Sequence, residues 1–228
     1  MKKAARYFTR TEIILWSVSV LLIVSSFIAF DRVNFLTLCA SIVGVTSLIF
    51  CAKGNPIGQA LMIVFSVLYG IISLSFSYYG EMITYLGMTM PMAIVSLISW
   101  IRNPYGENKS EVRVNRISRR EIFFALVLTA AVTAAFFFIL KAFGTANIIP
   151  STISVTTSFL AAYLTFRRSP WFAAAYAAND IVLIVLWTLA ALENIGYLSV
   201  VVCFAAFLAN DLYGFISWRK MARRQGAG

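Results

Sequence analysis

Long apolar runs alternate with short polar ones along the whole chain. Eight runs, at residues 13–30, 33–52, 57–77, 82–101, 122–142, 148–166, 171–192 and 195–218, each approach the ~20 residues that a hydrocarbon core of ~30 Å demands of a helix. The pattern therefore predicts eight membrane-spanning helices. Lys2, Lys3, Arg6 and Arg10 precede the first run in the manner of a signal peptide. That run lacks a small-residue cleavage site and is too long for a signal core, so it is read as a span.

Composition agrees: 61% of residues are hydrophobic and 12% charged, and mean hydropathy is +0.84, whereas about a quarter of a soluble domain is charged. The net charge of +10 would suit a nucleic-acid binder only if the basic residues were gathered on one face. They are instead spread through the connections, so no nucleic acid is expected. With a cytoplasmic N-terminus, 17 of the 19 basic residues fall on inside segments, leaving Arg32 and Lys141 outside. This bias predicts a multi-pass protein of the inner (plasma) membrane with both termini cytoplasmic. Cys39, Cys51 and Cys203 lie in or at the ends of apolar runs without CxxC spacing, and histidine is absent. Neither a disulfide framework, a metal site nor a cofactor is indicated.

The halves of the chain repeat one another. Arg10-Thr11-Glu12-Ile13-Ile14 resembles Arg119-Arg120-Glu121-Ile122-Phe123, and Lys53-Gly54-Asn55-Pro56 matches Arg167-Arg168-Ser169-Pro170. Ile98-Ser99-Trp100 matches Ile216-Ser217-Trp218. The expected organisation is a four-helix repeat over 1–102, a cytoplasmic linker over 103–118 carrying Pro104, Gly106, Glu107, Asn108 and Lys109, and a second four-helix repeat with a basic tail over 119–228. An even number of spans per unit makes the repeats parallel, an arrangement that places substrate sites near midplane between the halves.

Ionisable groups inside a span face a protein-lined cavity by default. Asn179 and Asp180 lie near the middle of the seventh span, and their counterparts in the first half are Phe65 and Ser66. They would either accept hydrogen bonds from a substrate or pin neighbouring helices. Trp187 falls two turns from Asp180 on the same face, with Tyr176 one turn before it, so an indole there could stack on a flat heterocycle. Asn210, Asp211 and Tyr213 form a shallower polar group in the eighth span. They form either a cavity wall or a clamp on a cytoplasmic basic residue. Gln59 could reach the cavity or serve the turn before it. Glu81 and Glu193, at outside turns, are expected to be solvated or capping. Trp16, Trp100, Trp171 and Trp218, near span ends, are expected at the headgroup level. Catalysis would need Asp180 and Asp211 packed face to face, since no histidine is available, and a receptor or scaffold would carry a larger soluble portion. The expected function is transport of a small molecule.

Taken in order, Lys53-Gly54-Asn55 with Gly58, Leu68-Tyr69-Gly70, Tyr79-Gly80-Glu81, the Pro91 span ending in Trp100, and Asn210-Asp211-Leu212-Tyr213-Gly214 to Trp218 resemble the PnuC-type nicotinamide riboside and vitamin transporters. The resemblance covers most of the chain. It implies two parallel three-helix units joined by a linker helix, as in the sugar-transporting SWEETs. Spans two to four and six to eight would form the units, span five the linker, and span one an added N-terminal helix. It further implies a homotrimer in membrane lipid, facilitated diffusion without a coupling ion, and trapping of the imported compound by a cytoplasmic kinase. The Trp-x-x-Trp pair of the nicotinamide riboside branch would fall here on Ala173 and Tyr176. Thiamine, riboflavin and deoxynucleosides, carried by relatives of the same fold, therefore remain alternative substrates.

Overall fold

The computed structural model describes residues 7–75, 79–106, 108–145 and 147–226; Lys2, Lys3, Arg6, Ser77 and Glu107 lie outside them. The described chain is all-helical apart from one short hairpin. Its elements are α1 (Arg10–Ser26), α2 (Phe35–Ala52), α3 (Pro56–Ser75), α4 (Tyr79–Thr84), α5 (Met90–Arg102), α6 (Arg119–Ala142), α7 (Ile148–Phe166), α8 (Phe172–Glu193) and α9 (Leu198–Arg224). Helix α1 runs on through a π-helical turn, Phe27–Asp31, and a second π-helical turn, Tyr85–Thr89, joins α4 to α5. Among the described residues eight helical segments are long and apolar enough to cross a membrane, matching the eight predicted runs.

Local chemistry sets the helix ends. Thr9 and Glu12 form a reciprocal capping box at the start of α1, which satisfies two otherwise orphaned amides, and Ser118 accepts from the Glu121 amide at the start of α6. The second π-helical turn lies just before Pro91. Proline lacks the amide that an α-helix would bond one turn back, and a wider turn absorbs the missing bond. Helices α1 and α6 are the least buried of the spans, whereas α2, α3 and α7 are at least half enclosed. The first and fifth spans thus lie at the periphery of a six-span bundle.

The two turns at the end of the molecule that carries the described termini share one set of bonds. Gly54 (φ 66°) and Arg168 (φ 55°) both adopt left-handed backbone; their amides reach Cys51 and Thr165, three residues back. Lys53 pairs with Glu12 at 3.2 Å, and Arg167 pairs with Glu121. The connection after α5 folds as a hairpin of β1 (Pro104–Tyr105) and β2 (Asn108–Val112). It is hydrogen-bonded to both turns, through Val112 N–H to Gly54 O at 2.9 Å and Asn115 N–H to Arg168 O at 3.1 Å.

The tryptophans at the ends of α5 and α9 are not at the headgroup level as expected. Trp100 and Trp218 are both fully buried, with ring centroids 5.4 Å apart. Trp100 Nε1–H donates to Thr165 O at 2.9 Å, and Trp218 Nε1–H donates to Cys51 O at 2.7 Å. Each indole thus satisfies a helix-terminal carbonyl in the opposite half of the chain. An indole buried with its N–H bonded gains apolar contact without stranding a polar group, which outweighs the interfacial preference. Trp16 and Trp171 do remain exposed.

Candidate functional site

Above this closed end the bundle interior is aromatic. Tyr69 of α3 sits at its centre, with ring centroids 4.5 Å from Tyr85, 5.4 Å from Phe65, 6.0 Å from Phe204 and 6.1 Å from Trp187. All five side chains are buried. They come from α3, the π-helical turn, α8 and α9, so both halves of the chain contribute. Trp187 lies where the spacing from Asp180 puts it, on the inward face of α8.

Asp180 and Asp211 meet in this interior. They are 3% and 4% exposed and lie within electrostatic range of each other across α8 and α9. Two carboxylates buried at such close range repel one another. Asp180 Oδ2 has no hydrogen-bond partner. Among the described residues the ion pairs engage Glu12, Glu121 and Glu111, so Asp211 makes no clamp to a basic residue. Tyr85 lies within electrostatic range of Asp180 and of Glu81.

Asn179 is turned toward α7. Its Oδ1 accepts from Thr157 Oγ1 at 2.8 Å, Ser158 Oγ at 2.9 Å and Ser154 Oγ at 3.4 Å, so its oxygen is occupied by helix-to-helix bonds. Asn210 faces α1, with Nδ2 donating to Ser19 Oγ at 2.9 Å and to Ala206 O at 2.7 Å. Tyr213 donates its hydroxyl to Glu12 at 3.1 Å, at the closed end. Gln59 is buried and donates to Cys51 Sγ at 3.2 Å. Half-buried Tyr176 stands edge-on to Phe172. The structure therefore brings Asp180, Asp211 and Trp187 to the central column, places Tyr176 and Gln59 beneath it, and sets Asn210 and Tyr213 against α1.

Two groups escaped the sequence reading. Tyr69 and Tyr85 look like ordinary aromatic residues of apolar runs. The hydroxyls of α7 did leave a signal, since Ser151, Ser154, Ser158 and Thr165 recur at helical spacing in the least apolar of the eight spans. Glu81, expected to be solvated, is 6% exposed with Oε2 unpartnered. Gly80 accounts for the difference: a Cβ there would lie 2.6 Å from Thr145 Oγ1 and 2.7 Å from Leu140. The bare backbone lets α4 press against the α6–α7 turn, which carries Glu81 inward. Glu193 is exposed, as expected. No cluster of potential metal ligands occurs among the described residues.

The model of the nicotinamide mononucleotide transporter family matches residues 34–220. The chain belongs to that family. Its members are transporters rather than enzymes, which removes the catalytic reading of the carboxyl pair. Among curated proteins, the nicotinamide riboside transporter PnuC of Neisseria mucosa is 25% identical over 199 residues, covering 86% of this chain and 76% of the relative. Among solved structures, the crystal structure of the vitamin B3 transporter PnuC superposes with a TM-score of 0.82 at 23% identity, covering 96% of this chain and 94% of that one. The transporter-family match spans all of the central column, from Tyr69 to Asp211.

Proposed function

We propose that this protein takes up nicotinamide riboside by facilitated diffusion, with the aromatic column around Tyr69 and Trp187 receiving the flat base and the Asp180–Asp211 pair bonding the sugar hydroxyls. The observation that carries the reading is the juxtaposition of an aromatic interior with a carboxyl pair whose Asp180 Oδ2 is unpartnered. A nucleoside supplies both a π-face for stacking and hydroxyl donors for the carboxyl oxygens. The name of the Neisseria mucosa relative selects nicotinamide riboside among compounds of that shape. Ala173 and Tyr176, where the nicotinamide riboside branch would carry tryptophans, keep deoxynucleosides, thiamine and riboflavin in the comparison.

Several features support the rest of the reading. The matched turns at Gly54 and Arg168 and the reciprocal bonds of Trp100 and Trp218 favour two parallel repeats. The basic residues around those turns and the α9 end favour a cytoplasmic location for both termini in the inner membrane. We further place the protein as a homotrimer whose imported substrate is phosphorylated by a cytoplasmic kinase. Proteoliposomes are the test: labelled nicotinamide riboside should reach equal concentrations on both sides without an ion gradient. Accumulation only when a proton or sodium gradient is applied would refute facilitated diffusion. Uptake of one of the alternative compounds in its place would reassign the substrate.

A further inference from the structure

A separate cavity opens at the end of the bundle opposite the described termini. It encloses about 130 Å³ between the α4 start, the α6–α7 turn and α8. Its rim includes exposed Tyr79 and Phe143, and its floor includes buried Trp187 and Ala190. Glu81 and Thr145 line it, and both Glu81 Oε2 and Thr145 Oγ1 are buried without a hydrogen-bond partner. None of the ion pairs among the described residues involves Glu81. Trp187 is shared with the central column, about 10 Å along α8 from Asp180 at the helical rise per residue.

The chemistry of these walls is specific. A carboxyl held away from water without a counter-ion is costly in a membrane protein, and a ligand that brings a positive charge removes the cost. Aromatic faces also attract cations, tryptophan most strongly. The volume is close to that of an engineered apolar cavity of roughly 150 Å³ that accommodates benzene, so it is sized for one six-membered ring, with an attached sugar left at the open mouth. We propose that this cavity is an entry site for a flat monocationic heterocycle of the N-alkylpyridinium class, with Glu81 as counter-ion, Trp187 as the stacking wall and Thr145 as a hydrogen-bond donor or acceptor to a ring substituent. It rests on the transport reading, because such a ring is the charged half of nicotinamide riboside, and it adds a station above the central column.

Calorimetry on the purified full-length protein tests it with 1-methylnicotinamide, which has the charged ring and no sugar, and with nicotinamide, its neutral counterpart. The wild type should bind 1-methylnicotinamide at least about tenfold more tightly than nicotinamide, and Glu81→Gln should abolish that preference; a tenfold ratio is within the reach of a desolvated cation–π and charge contact. Equal wild-type affinities, no binding of 1-methylnicotinamide, or a preference that survives in Glu81→Gln would each overturn the site. The wild-type comparison needs no variant to fold. Nicotinamide riboside is the separate arm. If it fails to bind while 1-methylnicotinamide binds with the expected preference, the transport reading falls and the cation site stands.

Discussion

Asp180 and Asp211 are the residues on which uptake should depend most steeply. Asp180→Ala removes one half of a buried carboxyl pair and the free oxygen beside the aromatic column. Uptake by this variant should fall to the level of empty vesicles while the protein remains monodisperse in gel filtration; unimpaired uptake would refute the central site. The inward placement of Asp180 was legible from its depth in an apolar run, because charge at midspan is costly. Its partnership with Asp211 was not, since a contact between two spans depends on how the helices pack rather than on either sequence. Glu81 was misjudged for a related reason. It lies at the edge of an apolar run, where solvation is the default, and only the close approach at Gly80 turns it inward. Trp100 and Trp218 show the same limit, since position at a span end suggested lipid and the packing supplied carbonyls instead.

At the scale of the helix, α7 acts as a polar wall for α8. Three of its hydroxyls converge on Asn179 Oδ1, and interhelical bonds of this sort contribute on average about 0.6 kcal/mol each in membrane proteins. Ser158→Ala should therefore lower the melting temperature by only a few degrees, with two hydroxyls left to serve the amide. Asn179→Leu should cost more, because it removes the shared acceptor of three hydroxyls at once, of which Thr157 alone keeps backbone acceptors among the described residues, Ile153 O and Ser154 O. Thermal unfolding in detergent distinguishes the two, and equal shifts would mean that Asn179 does not organise the contact. Helix identity and approximate length were readable from the apolar runs throughout. The π-helical turn at Tyr85–Thr89 was not, although Pro91 marked the place where the regular bonding had to change. That turn is what brings Tyr85 into the column beside Tyr69.

For the molecule as a whole, the closed end is held by bonds that cross between the halves. Trp218→Phe keeps an aromatic ring and deletes one donor to Cys51 O, which retains the Gly54 N–H, at a cost of about 0.5–1.5 kcal/mol for the lost hydrogen bond. Trp100→Phe should cost a similar amount through Thr165 O. Comparable drops in thermal stability for the two variants would reflect their similar bonding, and a neutral effect for either would show that the indole adds nothing to the turn bond its carbonyl already accepts. The order and number of spans were readable from the apolar runs. Which half each landmark touches was not, because the bonds are exchanged between halves.

The hairpin after α5 has a further consequence. Its bonds to Gly54 and Arg168, together with Val114 N–H to Gln225 at 2.8 Å, fasten it to both halves independently of the peptide that runs through it. Covalent continuity at its exposed tip, Gly106, is then dispensable. Fragments 1–106 and 107–228, expressed as two separate polypeptides, should find each other in the bilayer, copurify and transport, so a gene for this fold can be broken in two at that point without losing the protein.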